Sequence, residues 1–211
     1  MIRLVLIAAF ASAACLDSPP SSTGGGDTPD AGPCGDLDLF VETFDETNPD
    51  VRFRELWDPG IAPYYFSDGT LFITGMATES DIYSHLEYER SGALRYEKLG
   101  IEDGGTAAVS IWNDPDGAAG ILLDDTSTLV YAPNDRHLEM PRDFDDVFFM
   151  IAFEGGDIVY RASHDGSSWR TLQTWPDEFT QLVRLGLAAF APSLTADMSL
   201  GGINTSVVDC Q

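Results

Sequence analysis

The stretch VFFMIAFEGGDIVYRASHDGSSWRTL, residues 147–172, decides the fold. Its apolar residues come in short runs, VFFMIAF (147–153), IVYRAS (158–163) and WRTL (169–172), rich in Val, Ile, Phe and Tyr. Branched and aromatic side chains suit a pleated, half-buried surface, and runs this short fall below the length a helix needs. Gly155-Gly156 separates the first two runs and Asp165-Gly166 the second and third. Both pairs tolerate the positive φ that tight hairpin turns demand. The stretch therefore predicts three successive antiparallel strands.

Outward from it the texture persists between Leu37 and Val208. LFVETF (39–44), TLFITGM (70–76), YSHLEYE (83–89), TAAVSIW (106–112), GILLD (120–124), TLVYA (128–132), VRLGLAAF (183–190) and INTSVV (203–208) are further strand candidates. Gly, Pro, Asn and Asp punctuate them at short spacing. Only ALRYEKL (93–99) and PDEFTQLV (176–183) read as helical, and both are short. No internal repeat is visible, and the length suits one domain. The expectation is an all-β, antiparallel β-sandwich over residues 37–211, with about one turn of helix.

The chain opens on Arg3, the apolar run Leu4 to Ala11, and Ser12-Ala13-Ala14 before Cys15. That order is a secretion signal, so residues 1–14 are read as an address and not as structure. The run is under half the roughly 20 apolar residues that span a bilayer, and no second such stretch follows. Small residues before a cysteine resemble the lipobox of bacterial lipoproteins, in which Cys15 would become the acylated first residue. Ser12 stands where that motif usually carries leucine, and ordinary cleavage after Ala13 or Ala14 is the alternative. Behind Cys15, LDSPPSSTGGGDTPDAGP (16–33) holds too few apolar groups to order itself. Residues 15–36 are read as lipid attachment and disordered linker. The protein is expected to be exported and lipid-anchored at the cell envelope, on the outer membrane or a periplasmic face.

Formal charge is −24, falling to −25 once residues 1–14 take Arg3 and no acid with them. Nucleic acid and anionic membrane surfaces would repel such a chain, leaving the lipid as its membrane contact. The acidity reads as a solvated surface or, more sharply, as a divalent-cation requirement. Three cysteines leave an odd thiol in an exported chain, which acylation of Cys15 would account for. Cys34 and Cys210 then pair in an oxidising compartment, or remain free or intermolecular thiols.

FVETFDET (40–47), WDPG (57–60), Ser67-Asp68-Gly69-Thr70-Leu71, DRHLEM (135–140) and YRASHDGSSWRTL (160–172) follow one another in an order that resembles the concanavalin A-like jelly-roll superfamily. The resemblance covers about residues 37 to 208 and looks most like an exported bacterial branch that includes domains appended to glycoside hydrolases. Its most specific piece, Ser163-His164-Asp165-Gly166-Ser167-Ser168-Trp169, is similar to the S-x-D-G-x-x-W hairpin of such domains, whose Asp-Gly turn swings the Trp back against the sheet. That superfamily holds lectins, glucanases, lyases and adhesive domains alike, so the resemblance implies the fold and leaves the ligand open. Its glucanases carry E-x-D-x-x-E; Glu79 to Ser84 reads E-S-D-I-Y-S, with Ser84 where the second Glu would protonate a leaving group.

His85, His137 and His164 are scattered, none at metal-ligand spacing or beside a G-x-S-x-G nucleophile, and they read as surface or turn residues. No Gly-rich phosphate loop precedes a helix. What remains is a binding face. Strand alternation puts Ala107, Val109 and Ile111 on one side and Thr106, Ala108, Ser110 and Trp112 on the other. In YSHLEYE, Leu86 and Tyr88 suit the core, while Tyr83, His85, Glu87 and Glu89 point away from it. On a curved sheet's concave side these polar rows would line a groove for a polysaccharide or surface glycan, with Trp112, Tyr83, His85, Glu87 and Ser110 as its contacts. The alternative is that Trp112 plugs the core or a sheet edge. If the first and last strands pair, as in this superfamily, Glu42, Asp45 and Asp209 are candidate oxygen ligands for a structural Ca²⁺; no other cofactor is expected. The leading reading is a non-catalytic carbohydrate-binding or adhesive domain. A glycan-degrading enzyme, hydrolase or lyase, and a structural envelope protein without a small ligand are the alternatives.

Overall fold

In the computed structural model, which describes residues 37, 40–44, 49–75, 80–101, 104–191 and 196–204, short strands dominate. The order is α1 (Pro49–Leu56), β1 (Trp57–Asp58), β2 (Tyr64–Ser67), β3 (Thr70–Gly75), β4 (Ser80–Ser84), β5 (Gly92–Glu97), β6 (Gly100–Ile101), β7 (Thr106–Asn113) and β8 (Gly117–Leu123). It continues with β9 (Ser127–Ala132), β10 (Arg136–Pro141), β11 (Phe148–Glu154), β12 (Asp157–Ser163), β13 (Arg170–Pro176), β14 (Arg184–Phe190), β15 (Ala196–Leu200) and β16 (Gly202–Ile203). All pairings between them are antiparallel.

The stretch that decided the fold forms β11, β12 and β13 as read. Gly155 and Gly156 take φ of 63° and 92° in the two-residue turn between β11 and β12. Asp68 and Gly69, at 50° and 68°, do the same between β2 and β3. In the longer loop before β13 the Asp165 carboxylate accepts the N–H groups of Ser167 and Ser168 at 2.8 and 2.7 Å. These backbone bonds hold Asp165 far below the usual carboxylate range. Trp169 then folds back onto Met150, Ala152 and Val159, as the hairpin motif implied.

The strands make a seven-stranded sheet, β1-β4-β14-β7-β8-β9-β10, a five-stranded sheet, β13-β12-β11-β5-β16, and a four-stranded sheet, β2-β3-β15-β6. One apolar cluster lies between them. From the seven-stranded sheet come Ile82, Leu185, Leu187, Ala107, Val109, Ile111, Ile121 and Val130, so the period-two reading of TAAVSIW is correct for its inward face. The five-stranded sheet supplies Phe149, Ile151, Leu94, Tyr96, Ile158 and Tyr160. The Tyr160 hydroxyl, buried and facing the opposite sheet, donates to the Tyr131 carbonyl at 2.6 Å. This is the architecture of an antiparallel β-sandwich.

Several local expectations differ from the structure, LFVETF among them, whose described residues 40–44 form no strand and make only the single bridge from Glu42 to Ile203. ALRYEKL has helix-forming composition, yet it is β5, because its alternating Leu94 and Tyr96 fill the core. PDEFTQLV is not helical; Asp177 accepts the Phe179 N–H at 3.0 Å and the Arg90 guanidinium binds the Phe179 carbonyl, fixing a turn. The helix is instead α1, with Pro49 first, an Asp50–Arg54 ion pair at 3.3 Å and Phe53 buried. YSHLEYE is not one strand: β4 stops at Ser84, whose hydroxyl donates to the Leu86 carbonyl at 2.8 Å, so Leu86 turns outward at 57% exposure. Tyr88 regains the core through an isolated bridge to Val183.

The two ends of the described chain meet. Glu42 and Ile203 exchange backbone hydrogen bonds of 3.1 and 2.8 Å. The buried Asn204 side chain donates to the Leu37 carbonyl at 2.7 Å and accepts the Arg95 N–H at 2.8 Å. Among the described residues no helix is long and apolar enough to cross a membrane.

Candidate functional site

The outward face of the seven-stranded sheet is built on residues too small to fill it. At one level the register lines up Tyr83, Gly186, Ser110, Gly120 and Tyr131 across β4, β14, β7, β8 and β9. Both glycines have a steric reason. A Cβ on Gly120 would sit 2.5 Å from the Tyr131 hydroxyl and from the Val109 carbonyl oxygen. One on Gly186 would meet Ser110 Oγ, with the Tyr83 ring 3.5 Å away. The two tyrosines therefore lean over the glycines, and Ser110 lies between them at 4% exposure. At the next level Ala188 and Ala108 continue the small floor, and Asp81 stands beside Ala188 on β4. At the level on the other side Trp112 faces Arg184 and Ala118.

The result is a small-residue trough largely covered by its own aromatic rings, Ala108, Ala188 and Tyr131 being 5%, 7% and 7% exposed. Trp112 is half-buried, outside the core and edge-on to Tyr83 with centroids 5.1 Å apart. The Arg184 guanidinium lies 5.9 Å from the Trp112 centroid and pairs with Glu87 at 3.3 Å. The indole Nε1 is buried with no hydrogen-bond partner among the described residues. Burial pushes the Asp81 carboxyl above its ordinary value, and a hydrogen bond from Tyr83 acts the other way. Asp81 Oδ1 is itself buried without a hydrogen-bond partner. A trough with flat rings, one buried carboxyl oxygen and a guanidinium at its side can stack against a sugar ring and bond its hydroxyls.

Of the residues singled out from the sequence, Tyr83, Trp112 and Ser110 come together here, and Glu87 reaches them through Arg184. His85 does not join them; its Nε2 lies 3.2 Å from the Arg54 carbonyl in the last turn of α1. Ser84 faces the core, accepting the Leu185 N–H at 2.9 Å, so Tyr83 and not Ser84 shares the face of Asp81. Glu42 is buried, its Oε1 accepting the Phe44 N–H at 3.3 Å. Its suggested companions Asp45 and Asp209 lie outside the described residues, as do Glu79, Cys15, Cys34 and Cys210. Sequence reading passed over Gly120, Gly186, Tyr131 and Arg184. A glycine inside an apolar strand, as in GILLD and VRLGLAAF, is the signal that would have found the first two.

Solved structures similar to this chain include the Crh5 transglycosylase in complex with NAG, at TM-score 0.57 and 13% identity over 78% of this chain and 82% of that one. A Bacillus licheniformis β-glucanase matches at 0.55 and 11%, over 78% and 95%. A legume lectin-like domain from Entamoeba histolytica matches at 0.56 and 16%, over 75% and 91%. The fold is the concanavalin A-like jelly roll. At these identities the likeness establishes the jelly roll alone. No family model matches the chain, and no curated protein matches it.

Proposed function

We propose that this jelly roll is a non-catalytic, carbohydrate-binding or adhesive domain that holds an extended polysaccharide or surface glycan in the trough. The observation that carries the reading is the row Tyr83, Gly186, Ser110, Gly120 and Tyr131, with Trp112 beside it. The half-buried Tyr83 and Trp112 rings, kept out of the core beside those glycines, are the ones that can stack on a pyranose, whereas Tyr131 is covered at 7% exposure. Each such contact is worth about 1 kcal/mol beyond area burial, so micromolar to millimolar affinity is expected. The test is a polysaccharide pull-down of wild type and Trp112→Ala beside a reducing-sugar assay. Retention by wild type alone, with no sugar release, supports the reading. Equal retention of both proteins removes Trp112 from the site.

A second reading, a glycan-degrading enzyme, is favoured by one observation. Asp58 on β1 pairs directly with Tyr83, so it shares the outward face with Asp81 at a diagonal spacing of about 7–8 Å. Two carboxyls on neighbouring strands of one face are the pair that a glycoside hydrolase needs. Asp58 Oδ1, however, already accepts the Gly60 N–H at 3.0 Å. Steady sugar release that disappears in Asp81→Asn would replace the binding module with this enzyme.

Display is part of the proposal: acylated Cys15 at the envelope, the linker behind it, and a Cys34–Cys210 bridge closing the ends of the domain. The bridge is supported by the Glu42–Ile203 and Leu37–Asn204 contacts, which join the two ends of the described chain. Intact mass of membrane-extracted protein should show acylation, and alkylation without reductant should label neither Cys34 nor Cys210. A mature chain beginning at Ala14, or labelling of both cysteines, overturns the respective part.

A further inference from the structure

At one end of the five-stranded sheet, away from the trough, the pairing of Phe148 with Ser163 brings two loops together, residues 142–147 and 164–169. Histidine spacing gave no hint of what meets there. His164 Nε2 lies 3.3 Å from Asp143 Oδ2 and 3.1 Å from Asp146 Oδ1. The three ligand atoms fall within 4.8 Å of one another.

Each carboxylate has one oxygen tied down and the other aimed at this cluster. Asp143 Oδ1 accepts the Asp145 N–H at 3.2 Å, and Oδ2, the oxygen turned to the cluster, is hydrogen-bonded to the imidazole at 3.3 Å. The Arg170 guanidinium binds Asp146 Oδ2, which leaves Oδ1. Asp146 is 5% exposed, and that Oδ1 is buried without a hydrogen-bond partner, the histidine beside it being out of line for one. A carboxylate oxygen stripped of water and given no donor is costly, and a cation is what would satisfy it.

We propose that Asp143, Asp146 and His164 bind one divalent transition-metal ion of the zinc class, with water completing its coordination. The two separations from His164, 3.3 and 3.1 Å, fit: ligands about 2.0–2.2 Å from such an ion stand roughly 3.0–3.4 Å apart at tetrahedral or cis-octahedral angles. The donor set fits as well, because an imidazole with two carboxylates suits zinc and its neighbours, whereas calcium and magnesium take oxygen ligands. Arg170 is the positioning residue. It also pairs with Asp143 at 3.6 Å, offsets one of the two acidic charges and orients Asp146 from behind. Bound there, the ion would clamp the Asp-Gly hairpin loop to the loop leading into β11.

The experiment is calorimetric titration of the full, chelator-stripped chain, free of any histidine tag, with Zn²⁺ and separately with Ca²⁺. One saturable Zn²⁺ site is expected, with no Ca²⁺ binding there. His164→Ala and Asp146→Asn should each weaken it at least tenfold while melting as cooperatively as wild type without metal. X-ray absorption of the zinc-loaded protein should show one imidazole nitrogen in an N/O shell at about 2.0–2.1 Å. An all-oxygen shell, absence of saturation below about 1 mM, or affinity unchanged in His164→Ala overturns the proposal; such zinc would be spread over the acidic surface.

Discussion

Each of the two larger sheets carries a tryptophan on its outward face, and the two are used in opposite ways. Trp169 returns from the Asp165-Gly166 turn to cover Met150, Ala152 and Val159, closing an apolar patch. Beside it Arg161 and Glu154 form a two-pronged ion pair at 2.5 and 2.7 Å. Trp112 lies half-buried against the Tyr83 ring and the Arg184 guanidinium, with Ala118 as its other row neighbour. What a tryptophan covers on a sheet thus depends on the residues paired beside it. The lesson is about neighbours, not about the ring.

That contrast can be broken most forcefully at the floor. Gly120→Ala should destabilise the fold by about 3 kcal/mol, since the new methyl meets a backbone carbonyl that cannot swing aside, as urea denaturation would measure. Trp169→Ala should cost about 2 kcal/mol through lost burial and leave polysaccharide retention unchanged. If it abolished retention, the two faces would not be functionally distinct. Trp112→Ala should invert this pattern, losing at least tenfold in glycan affinity, or about 1.4 kcal/mol, with a smaller change in melting.

The smallest effect concerns acid. Asp165 is held below its ordinary value of 3.8 by the N–H groups of Ser168 and Ser167. Because the folded-state value is the depressed one, its contribution is present above about pH 4 and is lost as pH falls further. Asp165→Asn should therefore reduce stability at neutral pH and leave it near that of wild type at the acid end. Equal differences at both pH values would mean that the loop does not use the charge.

Much of the fold was legible because turn chemistry and strand period are local properties. Gly155-Gly156 and the alternation Ala107, Val109, Ile111 needed no knowledge of the rest of the chain. Segments with two competing local readings were the ones misjudged: ALRYEKL, whose composition favours helix while its spacing fits a strand, and YSHLEYE, interrupted by a serine turn. The trough was half legible. Tyr83 and Trp112 could be assigned a face, but their adjacency depends on β14 lying between β4 and β7 in one register. The cluster of Asp143, Asp146 and His164 was not legible at all, since it joins two loops across a hairpin.

Asn204, buried and at a φ of 51°, also governs how the domain would carry load. A pull on the chain ahead of residue 37 meets the Leu37 backbone, held by its N–H on the Ser91 carbonyl at 3.2 Å and by the Asn204 amide on its carbonyl, and Asn204 passes the load to the Arg95 backbone in β5. That strand belongs to the five-stranded sheet, not to the one bearing the trough. Tension applied from that end would be taken up on the far side of the sandwich, and would reach the seven-stranded sheet only after that clasp had given way. Single-molecule pulling from the N-terminus should place the first rupture there, and Asn204→Ala should lower the force at which it occurs.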